Sequence, residues 1–329
     1  NQIKEAPLYG SIVDSGDGQG VDGFYGAGET TLTVNDIPTA IDGNAVVQID
    51  GRVAATKDIN INAGKVVATN GSMVFSGADN EGPRLISDTA ANDLFNALVG
   101  GGSAATSENI NLTIQTMNGF DSQAGSKIVN LGAGNIRITD TAGINVAGEI
   151  KNTNGILEAI NSGANGINIS GAMSNATGAT NITNKNTGTN GIKLTSTGRI
   201  NQNDGSVNIT NDASGGIDLR GIITGTDGAT VNVKSNNSNV TMGDAANEHN
   251  IVADGKVTIN VTNGDVLNNG VKTNHIVTTN GADLEINATN GAIGEELVCA
   301  NGICTGIGPN GRDLTKSINT SIDGTIKAI

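Results

Sequence analysis

The sequence predicts an all-β chain folded as a right-handed, three-sided parallel β-helix, a solenoid with coils of about 25 residues. Short apolar stretches recur at that period, and the composition, rich in glycine and poor in aromatic residues, is compatible with a narrow interior built from stacked coils. The chain has 329 residues, 48 of them glycine, with 2% aromatic residues and a formal net charge of -14. A helical or α/β enzyme of this length normally has a core anchored by Phe, Tyr, Trp and Leu, so that class is disfavoured.

Between residues 134 and 293 the apolar stretches fall into three sets that share one period. The first set includes Ile136, Leu157, Ile182, Val207, Val231, Val257 and Leu284; the second Ile144, Ile167, Ile192, Ile217, Val240, Val266 and Ile293; the third Ile150, Met173, Ile200, Ile222, Ile251 and Ile276. Because three sets agree on the period, the pattern predicts three strands in each coil.

Each stretch alternates apolar and polar residues, which is typical of a strand with one buried face. Asn-Gly, Asp-Gly, Ser-Gly and Thr-Gly steps separate the stretches, and these residues tolerate the positive φ of tight turns. One coil cannot bury its apolar face alone, so its stability depends on neighbouring coils. A narrow interior favours Val, Ile, Leu and Ala, and the repeated Asn residues are expected to form side-chain amide ladders.

Two segments depart from the repeat. Residues 1–30 are interpreted as an N-terminal cap or cut segment, and residues 31–329 as the β-helix with an insertion at about 80–106. Within the insertion, residues 88–98 predict a short helix with Ser87 or Asp88 as its N-cap and the glycines at 100–102 as its stop. The side chains that would pack this helix on a coil, or offer a binding surface, are Leu94, Phe95 and Leu98. Two interpretations stay open: a binding insertion, or a cover for exposed apolar surface.

The only two cysteines, Cys299 and Cys304, are separated by four residues that include Asn301-Gly302. A pair this close favours a small disulfide loop across a turn, which in turn favours an extracytoplasmic compartment. The alternative is a pair of free or inert thiols. Two cysteines without a nearby histidine do not supply the four ligands of a zinc site.

The charge and the motifs exclude several functions. A strongly acidic chain is a poor partner for nucleic acid or an anionic membrane, and no apolar run approaches the ~20 residues of a membrane-spanning helix. Asp14, Asp17 and Asp22 form an acidic loop whose spacing matches neither known calcium repeat, so a solvated loop is favoured over a calcium site. We predict no catalytic residue, metal or cofactor. The alternative class is a carbohydrate-active β-helix enzyme resembling a polysaccharide lyase or glycosidase, although sugar clefts usually carry aromatic platforms.

Three runs of residues resemble the repeats of filamentous-haemagglutinin-like large exoproteins, the secreted partners of bacterial two-partner secretion systems. They are residues 134–139 (GNIRIT), 143–150 (GINVAGEI) and 281–294 (GADLEINATNGAIG). The resemblance implies a β-helix exported by an outer-membrane transporter and displayed at the cell surface or secreted. The implied role is adhesion to a host receptor, glycan or matrix polysaccharide, or biofilm formation. A spacer in a contact-dependent inhibition filament is the other role that the family suggests.

The resemblance also bears on the cysteines and on the start of the chain. Some surface-retained members anchor themselves in the transporter through a cysteine pair near the C-terminus, and Cys299 and Cys304 resemble such a pair by position. A simple staple of one loop is the alternative. The chain begins Asn-Gln-Ile-Lys, without a signal sequence, and is expected to be a mature chain or an excised fragment.

Overall fold

The computed structural model describes residues 2–4, 23–26, 30–33, 46–55, 57–77, 107–269, 275–294, 298–300, 303–305 and 318–329. The chain divides into two compact units. The first consists of Asn1–Ile160 and Gly171–Gly178, and the second of Asn161–Ser170 and Ala179–Ile329. The described residues of both units are all-β and contain no helix.

The first unit contains strands that belong to three sheets. In chain order they are β1 (Gln2–Lys4), β2 (Gly23–Gly26), β3 (Thr30–Thr33), β4 (Val46–Ile49), β5 (Arg52–Ala55), β6 (Ile59–Ala63), β7 (Lys65–Ala68), β8 (Met73–Ser76), β9 (Leu112–Thr116), β10 (Phe120–Ser122), β11 (Lys127–Asn130), β12 (Ile136–Asp140), β13 (Ile144–Val146), β14 (Glu149–Asn152), β15 (Ile156–Asn161) and, further along the chain, β17 (Ala172–Asn175). Sheet A has the order β1-β3-β6-β9-β12-β15, sheet B the order β13-β10-β7-β4, and sheet C the order β2-β5-β8-β11-β14-β17. β1 pairs with β3 in antiparallel orientation, and the other described strand pairs within these sheets are parallel.

The second unit repeats the same three-sheet arrangement. Its strands are β16 (Ile167–Ile169), β18 (Ala179–Asn184), β19 (Ile192–Leu194), β20 (Arg199–Gln202), β21 (Ser206–Asn211), β22 (Ile217–Leu219), β23 (Ile222–Gly225), β24 (Thr230–Ser235), β25 (Val240–Met242), β26 (Ile251–Ala253), β27 (Val257–Val261), β28 (Val266–Asn268), β29 (Ile276–Thr278), β30 (Leu284–Ala288), β31 (Val298–Ala300), β32 (Ile303–Thr305), β33 (Thr320–Ser321) and β34 (Ile326–Ala328). Sheet A has the order β18-β21-β24-β27-β30-β34, sheet B the order β28-β25-β22-β19-β16, and sheet C the order β20-β23-β26-β29-β33. β31 and β32 form a separate antiparallel pair.

Each coil contributes one strand to each sheet, and the next coil stacks on it in parallel. Asn208 pairs with Asn181, 27 residues earlier, and Asn232 pairs with Asn208, 24 residues earlier. The predicted fold is confirmed: an all-β, three-sheet parallel β-helix of the right-handed type with coils of about 25 residues. The turns absorb the differences in coil length, because the strand register is kept.

The interior of the second unit is the aliphatic column that the sequence predicts. Strands of sheet A alternate buried and partly exposed residues, as β18 and β21 illustrate. One residue of each coil occupies the same buried position; from β18 to β30 they are Ile182, Ile209, Val233, Ile259 and Ile286. Burying a side chain of this size contributes about 1.5–3 kcal/mol relative to its exposed state.

The first unit also buries two aromatic rings, which the aliphatic interior predicted from the sequence did not include. Phe75 and Phe120 are both almost completely inaccessible to solvent. Phe120 lies in register between Val66 and Ile144, so a ring is accepted where the layers on either side carry smaller aliphatic side chains.

Candidate functional site

A polar surface lies on the outer face of sheet A in the second unit. Asn181, Asn208 and Asn232 occupy one register position on three successive strands, and all three are half-buried. The side-chain amide of Asn232 donates to Oδ1 of Asn208 at 2.9 Å, and that of Asn208 donates to Oδ1 of Asn181 at 2.9 Å. We call these three residues the outer asparagine column. It offers amide groups to solvent at the strand spacing of about 4.8 Å.

A second asparagine column lies inside the same sheet. Asn161, the last residue of β15, belongs to the second unit, and Asn184 and Asn211 end β18 and β21. All three are fully buried. Asn161 donates to Oδ1 of Asn184 at 2.8 Å, and Asn184 donates to Oδ1 of Asn211 at 2.9 Å. Asn211 in turn donates to the carbonyl of Ala213 at 2.8 Å. This inner asparagine column satisfies polar groups that the stacked corners would otherwise bury without partners.

One buried side chain, Asn247, hydrogen-bonds the turn between β25 and β26 to earlier segments of the chain. Its Nδ2 donates to the carbonyl of Ser196 at 2.8 Å and to that of Arg220 at 2.7 Å. Its Oδ1 accepts a bond of 3.3 Å from the guanidinium of Arg199. Within the turn, the backbone N–H of Ala246 donates to Asp244 at 2.8 Å. A single amide thereby joins three segments of the chain.

His275 is a buried imidazole, although its position beside loop residues in the sequence predicts a surface or corner side chain. The backbone N–H of Asn319 donates to its Nδ1 at 3.1 Å, and its Nε2 lies 3.1 Å from Oδ1 of Asn268. A backbone N–H can only donate, so Nδ1 is the acceptor and Nε2 carries the proton. Burial lowers the pKa of His275 below its ordinary value of 6.5. The ring is therefore held neutral between two uncharged groups.

Near the C-terminus, a carboxylate on the outer face of sheet A is held by two ammonium groups. Glu285 accepts from Lys256 at 2.6 Å and from Lys327 at 3.2 Å, and from the amide of Asn287 at 3.3 Å. The bond from Lys256 is the main reason why the pKa of Glu285 falls from 4.5 to about 2, with Lys327 and Asn287 adding to it. Both lysines are exposed and Glu285 is partly exposed, so salt screens the charge attraction.

The first unit contains a buried lysine, Lys151, that no sequence pattern singles out. Lys151 of β14 is 5% exposed and lies in register between Val129 and Ser174. Burial lowers the pKa of its amine to about 8, and the charge of Glu149 opposes that shift. Since Ile150 points into the coil, strand alternation alone would place Lys151 on the solvated side.

The structure does not describe the residues that the sequence pattern predicts for binding. Asp88, Leu94, Phe95 and Leu98, with the whole predicted insertion at about 80–106, lie outside the described residues, and so does the acidic loop with Asp14, Asp17 and Asp22. His249 lies half-buried in the turn before β26.

The cysteines lie on the antiparallel pair β31–β32, where Cys299 is paired in register with Cys304. Asn175, Asn181 and Asn208 each begin an Asn-x-Thr triplet, the acceptor pattern for N-glycosylation, but their side chains are not free at the surface. Asn175 is buried, and the amides of Asn181 and Asn208 bond within the outer asparagine column.

Within the described ranges, no group of three or more His, Cys, Asp or Glu side chains is arranged to hold a metal ion. The same part of the chain has no helix with the length and apolar character needed to cross a bilayer. Comparison with protein-family models, with curated proteins and with solved structures finds no match for this chain.

Proposed function

We propose that the chain is a non-catalytic segment of a bacterial surface or secreted exoprotein, acting as a rigid stalk that also presents an extended binding surface. The observation that carries the proposal is the pair of asparagine columns in the second unit. The inner column ties coil to coil within the fold, and the outer column repeats one hydrogen-bonding group at a fixed spacing.

Regular amide groups suit a ligand that is itself periodic and rich in hydroxyl groups. Within the column, Asn232 uses one amide hydrogen, Asn181 uses its carbonyl oxygen, and Asn208 uses both. The second amide hydrogen of Asn208 is donated to Oγ of Ser206 at 3.0 Å. An amide has two N–H donors and a carbonyl oxygen with two lone pairs, so hydrogen-bonding capacity remains for a ligand. A glycan or matrix polysaccharide, or a host receptor, fits this chemistry. An outer-membrane two-partner transporter remains the export partner that the sequence resemblance implies.

The test is a binding screen of the purified chain on immobilised glycans, matrix polysaccharides and matrix proteins. We expect one ligand class to bind, and binding to fall when Asn181, Asn208 and Asn232 are all changed to alanine. Asn168→Ala, on the outer face of sheet B, is the control that should retain binding. Circular dichroism confirms that both variants keep their β structure.

Two results would contradict the proposal. Release of oligosaccharides or unsaturated sugar products from a polysaccharide panel would establish the alternative, a carbohydrate-active enzyme. Complete absence of binding would leave a spacer of the kind found in contact-dependent inhibition filaments.

We also propose that Cys299 and Cys304 form a disulfide, which supports an oxidising, extracytoplasmic location. Two residues directly paired across antiparallel strands have Cα atoms about 4.5–5.5 Å apart, within the range that a disulfide bridges. Mass spectrometry of alkylated protein, with and without reductant, tests the link. Alkylation of both cysteines without reductant would exclude it.

A further inference from the structure

An Asn-Gly step in the first unit has an unusual hydrogen-bond arrangement. Asn154 and Gly155 form the turn between β14 and β15, and Asn154 is exposed. Gly155 has a φ of 82°. A Cβ at this position would lie 2.6 Å from the carbonyl oxygen of Gly134, so the turn requires glycine after the asparagine.

The side chain of Asn154 is folded back onto the peptide nitrogen that follows it. The N–H of Gly155 donates to Oδ1 of Asn154 at 2.8 Å. The hydroxyl of Thr177 donates to the same oxygen at 2.6 Å. The Gly155 nitrogen is thus held beside the side-chain carbonyl, and that carbonyl is polarised by a second donor.

We propose that Asn154 is a site of spontaneous deamidation. After loss of its proton to solvent base, the Gly155 nitrogen attacks Cγ of Asn154 and forms a five-membered succinimide. The C–N bond to the side-chain amide breaks, and ammonia leaves with a proton from water. Water then opens the ring, giving aspartate or isoaspartate. Water is the only co-reactant.

Two features of the structure favour this reaction. Reacting groups held close together react faster than groups that must find each other, and the hydrogen bond from Gly155 keeps its nitrogen close to the side chain of Asn154. Negative charge develops on Oδ1 as the nitrogen attacks, and a donor already placed on that oxygen stabilises it. Thr177 is that donor. It acts as a positioning and polarising residue, since it neither gains nor loses a bond to carbon.

Two other exposed Asn-Gly steps serve as internal controls, because a carboxylate holds the glycine N–H in each. Gly119 donates to Asp140 at 2.9 Å, following Asn118. Gly281 donates to Asp323 at 2.7 Å, following Asn280. In both, the nucleophilic nitrogen bonds to a group other than its own asparagine side chain, so deamidation there should be slow.

The two products differ in their effect on the coil. Aspartate at position 154 keeps an oxygen that accepts from Thr177 and Gly155. Isoaspartate adds a methylene to the main chain two residues before Ile156, whose N–H donates to Oδ1 of Asn135 at 2.7 Å. That bond then has to lengthen or shift, which loosens the start of β15.

The experiment incubates the folded full chain in mildly alkaline buffer and follows the peptides that contain Asn154, Asn118 and Asn280 by mass spectrometry, with isoaspartate measured by enzymatic methylation. We expect Asn154 to deamidate about tenfold faster than Asn118 and Asn280. In guanidinium chloride the three rates should converge, because the dipeptide is the same. Equal rates in the folded chain would overturn the proposal.

Thr177→Val removes the donor at nearly constant size. We expect it to slow deamidation at Asn154 several-fold in the folded chain and to leave the rate in guanidinium unchanged. Circular dichroism before incubation shows whether the variant is folded. A folded variant with the wild-type rate at Asn154 would contradict the role of Thr177.

Discussion

The two asparagine columns of the second unit differ in little except their access to water. Asn161, Asn184 and Asn211 are joined by amide bonds of 2.8 and 2.9 Å, and Asn181, Asn208 and Asn232 by bonds of 2.9 Å. The inner column is fully buried, whereas the outer column is half-buried. Equal bond lengths therefore accompany very different solvent environments.

The comparison separates the geometry of a hydrogen bond from its contribution to stability. Removing one partner inside the coil leaves donors and acceptors that water cannot reach, and the desolvation penalty then appears in full. Removing one partner outside lets water replace it. The inner column is thus expected to hold the fold, and the outer column to remain available for binding.

The largest expected effect is that of Asn184→Ala in the inner asparagine column. The change removes the acceptor of Asn161 and the donor to Asn211, and should lower the free energy of unfolding by about 2–3 kcal/mol. Urea denaturation followed by circular dichroism measures it. A loss no greater than that of Asn208→Ala would erase the distinction between the columns.

His275 extends the comparison to a buried group that titrates. Its folded pKa is lowered, so its contribution to stability is complete above the ordinary value of 6.5 and is lost as the pH falls through the folded pKa. In that window, stability should decline by up to about 1.4 kcal/mol per pH unit. Urea midpoints measured across the acid range test this.

The control for that titration is His275→Gln, which has no charge to gain. The variant is expected to lose part of the slope below pH 6.5, whatever its stability at neutral pH. An unchanged slope would assign the acid sensitivity to other groups. Three other titratable residues flank the strands around His275. They are His249 before β26, Asp265 before β28 and Asp323 after β33.

Asn208→Ala, in the middle of the outer asparagine column, should have a smaller effect. Water takes the place of its amide on both sides, so the expected loss is below about 0.5 kcal/mol. The same urea experiment measures it beside Asn184→Ala. A loss of similar size to Asn184→Ala would mean that the outer face is also structural.

The smallest effect on unfolding is expected for Lys256→Met, beside Glu285 on the exposed face. Losing the main donor should raise the pKa of Glu285 from about 2 toward its ordinary 4.5. An NMR titration of the side-chain carboxyl group measures the change. Lys234→Met, which removes an exposed lysine on β24, is the control that should leave the pKa of Glu285 unchanged. The depressed pKa means that any stabilisation by Glu285 is present above 4.5 and lost as the pH falls toward 2.

The repeated part of the fold could be predicted because repetition is visible in sequence. The three sets of apolar residues correspond to the three sheets, and Ile182 and Ile209 occupy successive coils in register. Alternation from Ile182 also places Asn184 on the buried side and Asn181 on the outer side. The expectation of amide ladders holds, but as columns along strands as well as at turns.

The contacts that do not repeat could not be predicted in the same way. His275 meets Asn319, 44 residues later, and Arg199 meets Asn247, 48 residues later. Both contacts depend on the conformation of particular turns, for which one sequence without a repeat supplies no pattern. At Lys151 a sequence pattern exists but predicts the wrong environment. Strand alternation predicts a solvated side chain, whereas tertiary packing buries it.

Asn247 has a consequence for how this part of the molecule unfolds. In a stack joined only by adjacent contacts, stability is a sum of nearest-neighbour terms, and coils can separate one by one. Asn247 bonds to Ser196, 51 residues earlier, as well as to Arg220, 27 residues earlier. Asn247 can make both hydrogen bonds only when the segments that contain Ser196 and Arg220 are folded. The local cooperative unit therefore spans three coils, and its amides should exchange their hydrogens as one group.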